Sequence, residues 1–174
     1  MSKTEETRTR VCIGMIVYDQ PGVMMKISGM FARRGYNIAS ISVGSSERPG
    51  FSRITIIVEG DAPTIEQIIK QLNKLVDVVK VQHLDPKTST MREFALVKVD
   101  VKDNTTRQEI MTLVDIYRGK VIDVTTKTMT LEVSGSERKV DSFMELVSDI
   151  VKIREIVRSG IVALLRGEES ITLD

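Results

Sequence analysis

The chain has 174 residues, 25 of them basic and 24 acidic, and the resulting net charge of +1 gives no global pull toward nucleic acid or an anionic membrane. Its 41% hydrophobic content suffices for one domain or two small ones with ordinary cores. A single cysteine, Cys12, and a single histidine, His83, exclude an internal disulfide, the common zinc constellations and a multi-cysteine iron–sulfur cluster within one chain.

The polar start from Met1 to Arg8 lacks the apolar run of a signal peptide and reads as a frayed tail, and no membrane segment is evident. The expected location is cytoplasmic. Val11 to Tyr18 is a nearly unbroken apolar run, the pattern of a buried strand, and Pro21-Gly22 punctuates it. Val23, Ile27, Met30 and Phe31 then recur at helical spacing, with Gly35 placed to stop the helix. The free amides of that helix start face the loop. Pro21 presets the backbone, and Gly22, lacking a Cβ, lets an anion reach those amides and the positive helix end. The segment Asp19, Gln20, Pro21, Gly22, Val23 is therefore a candidate pocket for a carboxylate of amino-acid size. Its structural alternative is a tight turn with Asp19 as a local cap.

Ile38 to Val43 reads as a second strand, Gly44 to Gly50 as a hairpin loop, and Ile54, Ile56 and Val58 alternate on a third strand. Ile65, Ile68, Ile69, Leu72, Leu75 and Val76 mark a helix with Pro63 near its start, and Val78 to Leu84 returns as a fourth strand. This βαββαβ order over residues 8–85 predicts a ferredoxin-like unit of the α+β class.

Asp85 to Thr90 is polar, contains a proline and breaks the periodicity, as an interdomain linker does. The cycle then repeats over residues 92–166. Phe94 to Val101 predicts a strand; Ile110, Met111, Val114 and Tyr117 a helix; Val121 to Val124 with Met129 to Val133 a hairpin. Val140, Phe143, Met144 and Val147 predict a further helix, and Ile150 to Val157 a closing strand. The apolar stretch Ile161 to Leu165 has no assigned place in this scheme, and Gly167 to Asp174 is expected to be loose. Two tandem ferredoxin-like domains would each carry helices on one face, leaving the other face and the sheet edges to be covered, most economically by dimerisation.

Several motifs have bland explanations. Arg33-Arg34 complements a helix C-terminus, Gly44-Ser45-Ser46 lacks the lysine and helix of a phosphate loop, and Arg118-Gly119-Lys120 reads as a glycine helix stop. Nine methionines suit scattered core filling. His83 reads as an isolated strand residue. Arg158-Ser159-Gly160, between apolar runs, implies a contact with another domain or a partner.

Three segments, taken in order, carry a family resemblance: Pro21-Gly22-Val23 with Phe31 to Ile38; Gln71 to Val78; and Tyr117 to Val124. Arg158 to Val162 adds a fourth. The first half resembles an ACT domain, and the whole chain looks like the small regulatory subunit of acetolactate synthase. The resemblance implies a subunit without a catalytic site or a cofactor or metal of its own; thiamine diphosphate, Mg and FAD are expected only on the catalytic large subunit. That partner makes acetolactate or acetohydroxybutyrate in valine, leucine and isoleucine synthesis. The small subunit raises its activity and transmits feedback inhibition by a branched-chain amino acid, usually valine. The effector is implied to sit between two paired ACT domains of a homodimer, on Asp19, Gln20, Pro21, Gly22, Val23 and Met24 of the loop and on Asn37 and Ile38 after the first helix. Bacterial members of the family often have asparagine where this chain has Asp19, a carboxylate that attracts an effector's ammonium but repels its carboxylate.

A free-standing amino-acid sensor would use the same pocket, but would not need the segment from Tyr117 to Val124. An acylphosphatase-like enzyme lacks a convincing phosphate cradle or nucleophile–base pair here. An RNA-binding module would place aromatic residues on its central strands, and Arg53 to Val58 has none.

Overall fold

The computed structural model describes residues 9–172, which form two compact units: residues 9–91 with 161–172, and Arg92–Gly160. In the first, β1 (Thr9–Tyr18), α1 (Val23–Arg34), β2 (Ile38–Ser45), β3 (Phe51–Gly60), α2 (Ala62–Leu72) and β4 (Val78–Leu84) follow the predicted βαββαβ order. The sheet runs β2-β3-β1-β4 and is antiparallel, with β2 and β4 as edges. Register pairs Ile13 with Ile56 and Met15 with Ile54, which stacks their side chains on the helix side of the sheet. Val23, Ile27, Met30 and Phe31 of α1 and Ile65, Ile68 and Leu72 of α2 close that core. Each fully buried aliphatic side chain there contributes roughly 1.5–3 kcal/mol. Val76, assigned to the helical face by its spacing, lies beyond the end of α2 and is fully exposed.

The second unit repeats the order with β5 (Ser89–Asp100), α3 (Asn104–Ile116), β6 (Lys120–Val124), β7 (Thr128–Gly135), α4 (Glu137–Ile150) and β8 (Ile153–Leu165), in a sheet ordered β6-β7-β5-β8. Ala95, Val97 and Val99 face Met129, Leu131 and Val133 across the strands and pack under Ile110, Leu113, Val140, Phe143 and Val147. Tyr117 adds a ring contact with Phe143 at 5.4 Å and donates its hydroxyl hydrogen to Ser142 Oγ at 3.0 Å. Met111, placed on the apolar face by its spacing, is half exposed.

The structure adds to these expectations at the junction and at the C-terminal end. The segment Asp85 to Thr90, expected to be an interdomain linker, is a tight turn: Asp85 Oδ1 accepts from the Lys87 amide at 2.7 Å and the Asp85 carbonyl accepts from the Thr88 amide at 3.1 Å. β5 begins already at Ser89, which is buried. The stretch Ile161 to Leu165 continues β8, and from Ile161 onward the chain packs with the first unit. Nor is the described part of the tail loose. Ile161, Leu165 and Ile171 are buried against Cys12, Ile16, Ile57 and Leu84, on the face of the first sheet opposite its helices. The chain itself therefore covers the face that was expected to need a second copy.

Candidate functional site

The predicted pocket lies where β1 gives way to α1. Past the end of the ladder, the Tyr18 amide donates to the Asp77 carbonyl and the Asp19 amide to the Gly50 carbonyl, both at 2.9 Å. The Tyr18 ring packs on Phe51 at 5.2 Å. Lys26, one turn into α1, holds the Asp77 carboxylate at 2.6 Å, and that carboxylate is largely buried. The loop is thus anchored from two sides before the helix begins.

α1 starts unlike the other helices. Asp61, Asp103 and Ser136 cap α2, α3 and α4 by accepting from the amides of Thr64, Thr106 and Lys139. These bonds hold the Asp61 and Asp103 carboxyls below the usual aspartate range. The α1 cap is Gly22, at φ 89° and ψ −8°, with no side-chain cap. That left-handed conformation is what requires glycine here, since a Cβ would meet nothing within 4 Å. The alternative of Asp19 as a local cap is not realised: its side chain accepts from no amide of the helix. Val23 N donates to the Gln20 carbonyl at 3.4 Å and Lys26 N to the Gly22 carbonyl at 3.0 Å. Among the described residues, the amides of Gly22, Met24 and Met25 meet no acceptor. An uncapped helix start with spare donors and a positive dipole end favours a carboxylate.

Asp19, Gln20, Pro21 and Gly22 are exposed around this helix start, and Met24 is exposed beside them. Val23 is buried in the helix-side core directly after this turn. Asn37 and Ile38 are elsewhere. They follow the C-terminal end of α1, and twelve helical residues put them about 18 Å from Gly22. Asn37 borders a separate cavity of about 400 Å³ lined by Arg34, Tyr36, Glu59, Asp61 and Thr64. Ile38 packs its side chain partly against the core at the start of the edge strand β2. A single chain therefore separates the two halves of the predicted site.

Asp77 and Lys26 were not singled out from the sequence. They are 51 residues apart, and nothing in local periodicity links them. The bland readings of other motifs fit the structure. Arg34 donates to the Met30 carbonyl at 3.5 Å and to Gln71 Oε1 at 2.8 Å at the end of α1. Gly44 to Gly50 is a hairpin connection closed by Ser46 N donating to the Phe51 carbonyl. In Arg118-Gly119, the left-handed residue is Arg118, at φ 51°; Gly119 is needed because a Cβ would stand 2.6 Å from the Glu132 carbonyl oxygen. Arg158 is held by both oxygens of buried Glu93 and by Asp141 Oδ1 at 2.8 Å, all within the second unit, which raises its already high pKa. Among the described residues no group of three or more His, Cys, Asp or Glu side chains is placed to hold a metal ion, and no helix is long and apolar enough to cross a membrane.

Comparison with known proteins agrees with this architecture. Residues 13–80 match the model of the AHAS small subunit-like ACT domain, and residues 92–167 match that of the small subunit of acetolactate synthase. The acetolactate synthase small subunit of Mycolicibacterium smegmatis is 40% identical over 98% of this chain and 98% of its own length. The isozyme 3 small subunit of Escherichia coli is 38% identical over 92% of this chain and 98% of its own. The crystal structure of the small subunit from Thermotoga maritima superposes with a TM-score of 0.85 at 47% identity, covering 92% of this chain and 99% of that one.

Proposed function

The chain belongs to the acetolactate synthase small-subunit family, and from that premise we propose that it activates the thiamine-diphosphate-dependent large subunit and makes it sensitive to a branched-chain amino acid, valine first. In this reading the chain contributes no catalytic group; its work is to bind the large subunit and to report effector concentration. The observation that carries the effector reading is the uncapped start of α1, with spare amides beside an exposed Pro21-Gly22 turn.

The separation of Gly22 from Asn37 supports a paired arrangement. β2 is an unpaired edge, and its Ile41 and Val43 are exposed. Such an edge invites pairing with a second copy. Antiparallel pairing of two first units there sets the loop of one copy toward the Asn37 end of the other. An effector carboxylate then meets the amides of Gly22 and Met24, its ammonium meets Asp19 and the Asn37 amide oxygen, and Met24 and Ile38 border its hydrocarbon. A ligand that contacts both copies stabilises the paired state only, and so shifts the equilibrium toward it.

The test combines this chain with the large subunit from the same source and measures acetolactate formation with and without valine, leucine or isoleucine. Activation with inhibition by at least one of the three is expected; no complex and no activation would sink the proposal. Gly22→Asp sets a carboxylate where the effector's carboxylate approaches, and aspartate tolerates the left-handed backbone better than most residues. It should weaken inhibition about tenfold or more and leave activation in place.

A further inference from the structure

The loop between β1 and α1 has both of its ends fastened to one distant residue. Where β1 leaves its ladder, the Tyr18 amide donates to the Asp77 carbonyl at 2.9 Å; where α1 completes its first turn, the Lys26 ammonium donates to Asp77 Oδ2 at 2.6 Å. Main chain and side chain of Asp77 thus close the loop into a ring. The placement of Asp77 is itself built. The pairing of β1 with β4 shifts register between Ile16, which faces Lys80, and Val17, which faces Val78, so that Val79 is the extra residue of a bulge. The shift brings Tyr18 opposite Asp77, where an unbroken register would have set it against Val78. A turn closed by the Val78 amide on the Leu75 carbonyl at 3.0 Å fixes Asp77 from its other side.

The ion pair is unequal. The Asp77 side chain is 12% exposed and that of Lys26 57%. Removing Lys26 strands a carboxylate with little water to replace its partner, so the pair is costly to break from that side. Lys26 also reaches in the right direction, since side chains on a helix lean toward its N-terminus, and so over the turn that carries the spare amides of Met24 and Met25. Asp61, Asp103 and Ser136 fix the first turns of α2, α3 and α4 as caps; α1 has Gly22 in that place, and the contact that holds its first turn comes from outside the helix, through Lys26. This arrangement leaves the amides of α1 unoccupied and yet holds them in position. A side-chain cap would fill them, and an unheld helix start would fray. A site that keeps its donors free for a ligand needs support from groups that do not touch the ligand.

We infer that Lys26 and Asp77 are the positioning pair of the effector loop: they preset the amides of Gly22 and Met24 for an effector carboxylate, and they act on effector affinity rather than on the contact with the large subunit. The inference rests on the loop reading above. Because Asp77 neutralises the Lys26 charge, the pair adds no net attraction for a carboxylate, and its contribution is geometric. That separates it from a role through space. If charge alone mattered, loss of Lys26 would weaken the binding of a carboxylate and loss of Asp77 would strengthen it; if the pair holds the loop, loss of either weakens it.

The experiment has two arms, on Lys26→Gln, Asp77→Asn and the double variant, with Lys26→Arg as the conservative replacement. In the first, amide hydrogen exchange of the full chain without effector is expected to speed about tenfold at Tyr18 and Lys26 in each single variant, and no further in the double one. Unchanged exchange at those amides, in a chain that circular dichroism shows to be folded, overturns the inference. In the second, each variant is combined with the large subunit from the same source, and acetolactate formation is followed against valine, leucine and isoleucine. The half-inhibiting concentration is expected to rise about fivefold or more in both single variants, by no more in the double one, and to return to within about twofold of the wild type in Lys26→Arg, while the activity at zero effector does not follow. Opposite shifts for Lys26→Gln and Asp77→Asn would reveal a charge effect and overturn the positioning role, as would equal loss of activity with and without effector. Should Asp77→Asn not fold, Lys26→Gln, altered at the exposed partner, carries both arms with Lys26→Arg as its control. A wild-type holoenzyme insensitive to all three amino acids sinks the loop reading and this inference with it; a sensitive wild type whose variants keep its half-inhibiting concentration overturns this inference alone.

Discussion

The two units share a topology and differ in what happens behind the sheet. In the first, β1 is buried on both faces: Ile13, Met15 and Val17 pack under the helices, while Cys12 and Ile16 pack under Ile161, Leu165 and Ile171. In the second, the corresponding strand β5 alternates. Ala95, Val97 and Val99 are fully buried, whereas Phe94 and Lys98 on the other side are exposed and Leu96 is half-buried. The run Val11-Cys12-Ile13-Gly14-Met15-Ile16-Val17 and the run Phe94-Ala95-Leu96-Val97-Lys98-Val99 record this difference, since only a strand covered on both faces can afford continuous apolar residues. A βαββαβ unit can thus be one-faced or two-faced, and the chain builds one of each.

The largest expected effect comes from Ile16→Ala, which empties a site buried only because the C-terminal segment lies over it. It should cost about 2–4 kcal/mol in denaturant unfolding, as a helix-side core truncation would. A cost below about 1 kcal/mol would mean that the second face is not a packed core in solution. A smaller effect is expected from pH. The Cys12 thiol is raised from 9.0 to about 11 in the folded chain, so the native state holds that proton more tightly than the unfolded state. Stability from this group is complete below pH 9.0 and is lost as the pH rises toward about 11. Cys12→Ala should flatten that part of the stability profile. Replacing Ile171 by Asp should loosen the cover and speed the reaction of Cys12 with a thiol reagent; an unchanged rate would break the link between the segment and the second face. The smallest effect belongs to the second unit: Phe94→Thr, on the exposed side of β5, should change stability by less than about 1 kcal/mol.

Much of the architecture was legible in the sequence because it rests on local periodicity. The helical spacing of Val23, Ile27, Met30 and Phe31, the alternation of Ile54, Ile56 and Val58, and the punctuation at Pro21-Gly22 and Gly35 are all short-range signals. They appear in the structure as α1, β3 and the glycine caps of α1. The loop was legible as an open helix start for the same reason. Its supports were not: Asp77 reaches Lys26 and Tyr18 across more than fifty residues, and no local pattern encodes that contact. Arg118 taking the left-handed position in place of Gly119 was equally hidden, because the need for glycine there comes from the backbone of β7.

Sequence by itself determined the order of elements, the faces that the helices cover, and the glycine that opens the start of α1, each decided by interactions within a few residues. Tertiary structure decided the rest: that Asn37 and Gly22 stand at opposite ends of one helix, and that the unplaced stretch from Ile161 to Leu165 covers the first sheet instead of leaving its second face to a partner. The physical reason is that hydrophobic burial is non-directional. An apolar stretch announces that it will be covered, and only the folded chain shows by what.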